Sequence, residues 1–217
     1  MKLQAIKRAL QTTAAIAAVL LAACQHSTPT DADNLEMTRN TIAPQLQQLG
    51  ARNWVVIADP TYPIPSGSGA VTVSVPSNTA DTFREVLDQL ELQASVTPRI
   101  WVNNELEAVP EERAPGIGEY RKSVNNLLSG RFYYRLDERI IAMQLADAAK
   151  QYRVLYIKTN TRLPYSTIAI ELDSGYWNTD DETEIRTRLQ KLNPTQPFAP
   201  QQPVSIPVTG PTVTTAL

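Results

Sequence analysis

The sequence predicts an α/β fold: a layered domain with one mostly buried central sheet. Three observations predict it. The run Trp54-Val55-Val56-Ile57-Ala58 is apolar without a break and stops at Asp59, the pattern of a strand buried on both faces. Phe83, Val86, Leu87 and Leu90 fall at i, i+3, i+4 and i+7, the stripe of an amphipathic helix. Helix and strand signals alternate along the chain rather than segregating, as a sheet covered by helices requires.

Taken in order, Leu35, Ile42, Leu46 and Leu49 lie near one helical face. Pro44 implies two short helical pieces or a helix that begins at the proline, and Gly50 reads as its C-terminal stop. The strand at Trp54 comes next. Residues 71–75 alternate Val with Thr and Ser as a second strand, and Asn78 or Thr79 can cap the helix carrying Phe83. Residues 96–102 read as a strand, with Pro98 pushing it toward a sheet edge or its first residues toward irregular backbone. Tyr120, Val124, Leu127 and Leu128 mark another helix, and Asp137 can cap one over residues 140–150. Strands at 154–158 and 167–172 close the core, separated by a loop around Pro164. Residues 180–192 form a last helix with Ile185, Leu189 and Leu192 on one face. Its acids lie in the first turn and its bases in the last, which suits the helix dipole; this helix is expected to pack on the domain or on a neighbouring subunit.

Composition bounds the rest. A chain of 217 residues that is 42% hydrophobic and 19% charged suits one globular domain, and a single Cys excludes a disulfide framework. No apolar run reaches the roughly 18 residues of a membrane-spanning helix. Lys2, Lys7 and Arg8 precede an apolar stretch at 14–21 that ends in Leu21-Ala22-Ala23-Cys24. This layout resembles the bacterial lipobox of an export signal, in which the Cys thiol is lipidated and the chain is cut before it. The resemblance implies a signal peptide at 1–23, a lipidated Cys24 and a polar tether at 24–33. With the three basic residues removed, the net charge of −2 becomes more acidic, so nothing draws the protein to nucleic acid. The membrane is reached through the acyl chains on Cys24, and Gln25 after the Cys points to the outer membrane, facing the periplasm. Residues 34–192 make the domain. Residues 193–217 carry Pro194, Pro197, Pro200, Pro203, Pro207 and Pro211 and read as an extended, disordered tail.

Four stretches carry a second resemblance. Leu49-Gly50-Ala51-Arg52-Asn53 leads into the Trp54 strand, Asp59 and then Pro63-Ile64-Pro65. Val75-Pro76 runs through Phe83 and Val86-Leu87 to Leu90-Glu91-Leu92. Val96-Thr97-Pro98 and Pro164-Tyr165-Ser166-Thr167-Ile168-Ala169-Ile170 come after it in order. Together they resemble the D-ribose pyranase / L-fucose mutarotase (RbsD/FucU) family over roughly residues 44–172, which implies an RbsD-like domain. Such proteins interconvert ring forms or anomers of free monosaccharides, a reaction in which one group protonates the ring oxygen and another takes the anomeric hydroxyl proton. The family uses a His on the turn, the Asp at the strand end, a second His, and the Tyr and Asn of the last strand. Asp59 matches the Asp and Tyr165 the Tyr. The turn His falls on Ala51, the Asp two places later on Asn53, the second His near Met143 and the Asn on Thr167.

The only His of the chain is His26, in the tether, so no imidazole serves the domain. Asp59 stands as the candidate catalytic group, with Glu171 or Lys158 as helpers, and Tyr165, Thr167 and Tyr62 as substrate-binding candidates. Asp59 equally reads as a turn or helix cap. Trp54 and Trp101, within strands, read as core rather than as sugar-stacking platforms, as Trp177 could be. Ser66-Gly67-Ser68-Gly69 reads as a flexible loop or an anion cradle. No zinc-spaced His/Cys set, Walker motif or nucleophile elbow is present, so neither metal nor cofactor is expected. The expected function is a lipid-anchored binding or assembly module without the family's histidines; the alternative is a monosaccharide mutarotase using Asp59 and Tyr165. A monosaccharide, further copies of the chain in a ring-like homo-oligomer and an envelope protein are the partners this reading leaves open.

Overall fold

The computed structural model describes residues 29–177 and 179–192. The expected signal segment, Cys24, most of the expected tether and the expected tail lie outside them. Five helices and a six-stranded sheet succeed one another as α1 (Asp31–Leu46), β1 (Trp54–Ala58), β2 (Ala70–Ser74), α2 (Thr79–Glu91), β3 (Val96–Asn103), a 3-10 turn (Asn104–Ala108), α3 (Ile117–Leu128), β4 (Tyr133–Leu136), α4 (Glu138–Gln151), β5 (Val154–Lys158), β6 (Ile168–Ser174) and α5 (Thr179–Leu192). Among the described residues no helix is long and apolar enough to cross a membrane.

The strand order is β2-β5-β1-β6-β3-β4. β1, β2 and β5 pair parallel, as do β3 and β4, whereas β6 runs antiparallel to both β1 and β3. Five strands therefore point one way and β6 alone points back. All five residues of β1 are buried, as the unbroken apolar run requires of a central strand.

Side-chain alternation sorts the core into two layers. Val55, Ile57, Ile100, Val102, Leu155, Ile157, Ile168 and Ile170 face Ile42 and Leu46 of α1, Phe83, Val86, Leu87 and Leu90 of α2, and Ile117, Val124 and Leu128 of α3. Trp54, Val56, Ala58, Trp101, Val154, Tyr156 and Ala169 face Ile141, Leu145 and Ala149 of α4, together with Tyr62 from the loop after β1. Each fully buried aliphatic or Phe side chain contributes about 1.5–3 kcal/mol relative to exposure.

Several expectations are corrected. α1 is one helix with Pro44 in its last turn, where the missing N–H removes a single bond, rather than two pieces or a helix starting at Pro44. It begins at Asp31, so residues 31–33 are helical rather than tether. It ends at Leu46, before Gly50, and the left-handed residue of the connection is Arg52, whose φ is 71°. β3 is an interior strand, because β4, which the periodicity does not reveal in four residues, pairs with it from Ile100 onward. Pro98 sits where β3 has only β6 beside it, which is what a residue without an N–H tolerates. Asn78 and Asp137 cap as expected, accepting from the backbone N–H groups of Asp81 and Arg139. Gly67 and Gly69 are not there for flexibility or for an anion: a Cβ at Gly67 would lie 2.9 Å from the Ala149 carbonyl oxygen, and one at Gly69 would collide with the Tyr152 carbonyl. Within the described residues the domain covers the apolar edge of α5 only in part, Ile185 being 37% and Leu192 76% exposed.

Candidate functional site

The sheet converges its polar residues at one edge. β1 through β5 end there and β6 begins there. Ala58 pairs with Lys158, and the β1–β6 and β3–β6 registers, both running through Ile168, set Thr167 between Ala58 and Asn103 one position further on. Lys158, Ala58, Thr167 and Asn103 thus form a row across four strands, on the face that α4 covers. The row beneath it reads Tyr156, Val56, Ala169, Trp101 and Tyr134. The middle of both rows is made of small side chains, with large polar-tipped ones on either side.

The loop after β1 closes over the β5 end. Asp59 Oδ1 accepts from the Thr61 N–H (2.7 Å) and from the Thr61 hydroxyl (2.5 Å), fixing a tight turn. The Lys158 ammonium donates to the carbonyl oxygens of Pro60 (3.3 Å) and Tyr62 and lies 5.8 Å from the centroid of the Tyr62 ring. Burial lowers the Lys158 pKa while Asp59 opposes that shift. Tyr62 is buried and stacks on Tyr156 with centroids 6.3 Å apart. Burial first, then the charges of Glu138 and Asp59, push the Tyr62 hydroxyl up to about 12.

The opposite side is set by the turns after β3 and β4. Glu105, in the 3-10 turn, accepts the backbone N–H of Glu138 at 3.1 and 3.2 Å and so holds the first turn of α4. Burial raises the Glu138 carboxyl, with Glu105, Asp137 and Asp59 adding repulsion. The edge is therefore acidic, and Lys158, its cation on the central strands, is committed to carbonyl groups.

Tyr165 has a left-handed backbone, φ 55°, and is 39% exposed. Its neighbour Ser166 is tied down from both sides: its hydroxyl donates to the Leu163 carbonyl (2.8 Å), and its own carbonyl accepts the Tyr120 hydroxyl (2.5 Å). A non-glycine residue at positive φ persists only where its surroundings impose it. Thr167 is 5% exposed, just ahead of β6. Of the sequence candidates, Asp59, Tyr62, Thr167 and Lys158 reach this edge, and Tyr165 lies in the turn three residues before β6, the strand that pairs with β1. Glu171 does not: it pairs with Trp54 at the start of β1, near the far edge of the sheet.

Sequence reasoning missed three of four residues here, having read Trp101 as core. Asn103 is 2% exposed, and neither its Oδ1 nor its Nδ2 has a hydrogen-bond partner among the described residues; the same holds for Trp101 Nε1 and the Tyr156 hydroxyl, on residues 3% and 0% exposed. Leaving such a buried group unpaired costs about 1–3 kcal/mol. Glu138 is the fourth. The signal for Asn103 was present: a polar residue ends the apolar run Ile100-Trp101-Val102 just as Asp59 ends its own. Among the described residues no three His, Cys, Asp or Glu side chains gather as a metal cage.

No family model and no curated protein matches the chain. Among solved structures it is similar to Bacillus subtilis RbsD complexed with D-ribose, at 21% identity over 61% of this chain and 90% of that chain, with a TM-score of 0.46. It is also similar to FucU from Bifidobacterium longum, at 15% identity over 61% and 92% with a TM-score of 0.42. A third is the fucose mutarotase in complex with L-fucose from Streptococcus pneumoniae, at 16% identity over 69% and 97% with a TM-score of 0.38.

Proposed function

We infer that the domain is a non-catalytic binding module for a small, neutral, hydroxylated ligand of monosaccharide size, carried on a chain that Cys24 anchors to the outer membrane. The observation that supports the binding role is the set of unpartnered buried groups on one sheet face: Asn103, Trp101 and Tyr156. A carboxamide donates and accepts at once, an indole N–H donates, and a phenol does either. That mixture matches hydroxyl groups, which also do both. The carboxylates gathered at this edge, Asp59, Glu105 and Glu138, disfavour anions.

Catalysis is the weaker reading on the same residues. Asp59 Oδ1 is already held by Thr61, the Lys158 ammonium by two carbonyls, and the domain has no imidazole. Calorimetry with ribose, fucose and related monosaccharides tests the binding role on wild type and Asn103→Leu. Expected is weak binding by the wild type that the leucine abolishes without loss of stability, since an apolar residue of similar size removes the unpaired groups. No heat with any of these sugars overturns the reading. So does anomer exchange, measured by NMR saturation transfer, that exceeds the uncatalysed rate and disappears in Asp59→Ala. The anchor is tested separately: Cys24→Ala is expected to move the exported protein from the membrane fraction to the soluble one.

A further inference from the structure

A cleft opens at the far edge of the sheet, where β6 ends and the other five strands begin. It has two lobes of about 510 and 420 Å3, and Asp173, Ser174, Tyr176 and Trp177 line both. Arg99 and Phe132 complete one lobe, Arg52 and Glu182 the other. Three aromatic rings stand exposed around it: Trp177 at 41%, Phe132 at 60% and Tyr176 at 80%. Apolar surface gathered around a cleft in this way marks an interaction site rather than core.

The cleft is built to hold its shape. Thr97 pairs with Asp173, which puts Arg99 and Asp173 on one sheet face, and the Arg99 guanidinium donates to Asp173 Oδ2. Asp173 Oδ1 accepts the Ser174 N–H (2.9 Å). The Gly175 N–H donates to the Ser95 carbonyl (3.0 Å), and a Cβ on Gly175 would collide with the Ala94 carbonyl oxygen. The loop carrying Tyr176 and Trp177 is thus pressed onto the start of β3. Trp177 Nε1 donates to Glu182 (2.9 Å), which also accepts from Arg186 (2.5 Å), so the indole is held by its edge. Side chains fixed in advance lose little entropy on binding.

Charge balance selects the occupant. Two arginines, Arg52 and Arg99, are matched by two carboxylates, Asp173 and Glu182, so neither a polyanion nor a cationic peptide gains net attraction here. A wholly apolar partner would strip water from all four charged groups. What fits is a neutral molecule with polar edges and apolar faces. A pyranose ring has both: its hydroxyls suit guanidinium and carboxylate groups, and its C–H face lies flat on an aromatic ring. We propose that this cleft binds a neutral, β-1,4-linked glycan chain, with sugar units in both lobes and the chain crossing Trp177. Equatorial linkages keep such a chain flat, so successive units present C–H faces to Phe132, Trp177 and Tyr176. Each lobe lies within the roughly 300–1,000 Å3 of small-ligand pockets. The site is separate from the one at the opposite edge of the sheet and does not depend on it.

Trp54 and Trp101 are buried, so the emission of the exposed Trp177 reports on the cleft. The full chain is titrated with cellotetraose and chitotetraose, and with glucose and N-acetylglucosamine beside them. Expected is a saturable blue shift with at least one tetrasaccharide, at an affinity roughly tenfold or more above that of its monosaccharide. Calorimetry, which does not depend on the indole, follows the variants. Trp177→Ala and Tyr176→Ala are each expected to weaken tetrasaccharide binding roughly fivefold or more; Tyr176, mostly in water, is removed without loss of core contact. No saturable response to either tetrasaccharide overturns the proposal, as does binding that both variants leave intact. Equal affinity for monosaccharide and tetrasaccharide also overturns it. So does a blue shift that grows with protein concentration in the absence of sugar, because a second copy then fills the cleft.

Discussion

Asp59 grips Thr61 through one carboxylate oxygen, which takes both the backbone N–H at 2.7 Å and the hydroxyl at 2.5 Å. The residue that the strand-end pattern marks for chemistry is thus also a turn-former, and the two roles separate by substitution. Asp59→Ala removes two charge-assisted bonds and is expected to cost about 1–2 kcal/mol in urea unfolding. Asp59→Asn keeps an acceptor at Oδ1 and is expected to recover at least half of that loss. Equal losses in the two variants would show that the charge, not the turn, carries the effect.

Arg39 and Glu85 join α1 to α2 by two parallel bonds, Nε to Oε1 at 2.8 Å and Nη2 to Oε2 at 2.9 Å, with Glu85 2% and Arg39 53% exposed. Burial alone would raise the Glu85 carboxyl, but hydrogen bonds from Arg39 and Gln89 and the guanidinium charge outweigh it, and its pKa falls below the usual 4.5. A depressed folded pKa means stability that is present above the unfolded value and lost as pH drops through the folded one. Arg39→Ala leaves a buried carboxylate without its cation and is expected to lower the urea midpoint at pH 7, by less than the loss of a wholly buried pair would because the arginine is half in water. That cost should shrink below about pH 4.5, as the stranded Glu85 takes up a proton. Urea midpoints from pH 3 to 7 check it, and a pH-independent difference refutes it.

Glu171 carries the opposite sign. It stands on β6 between Trp54 and Arg99. Burial raises its carboxyl, Arg99 pulls against that, and Asp173 adds to it. A raised folded pKa gives stability that is complete below the unfolded value of about 4.5 and is lost as pH climbs through the folded one. Glu171→Gln is therefore expected to stabilise the protein by about 0.5 kcal/mol at pH 7, a figure reduced for partial exposure, and to give no gain at pH 4. A thermal melt at each pH decides it.

Gly69 bonds to the end of α4 through its N–H to the Ala149 carbonyl (3.1 Å), and its own carbonyl accepts the Val154 N–H (2.9 Å). Added at this position, a Cβ would meet two backbone oxygens, those of Tyr152 and Ala149, which cannot rotate away. Gly69→Ala is expected to cost about 2–3 kcal/mol by overpacking. Gly50→Ala, where nothing lies within 4 Å, is expected to be neutral or to stabilise by about 0.5 kcal/mol through the unfolded chain. Matched denaturation curves with a common m-value compare the pair.

Features that depend on local pattern were legible in the residues alone. The run at Trp54 dictated a buried strand, Asn78 and Asp137 dictated helix starts through their side-chain oxygens, and the burial of Trp54 and Trp101 came from their places in strands. Asp59 and Thr167 could also be marked as strand-end residues, because polar residues terminating apolar runs fall at the sheet's edge. Which strand ends meet was settled by assembly. β4 is four residues long and gains its place from pairing with β3, so no periodicity announces it. Asn103 and Tyr156 come to share one sheet face, with β1 and β6 between them, through the registers of four strands, and Glu171 is removed to the far edge by the same registers. Pairing between distant segments is set by the shared burial of both sheet faces, a property of the assembled layers that no single stretch of chain contains.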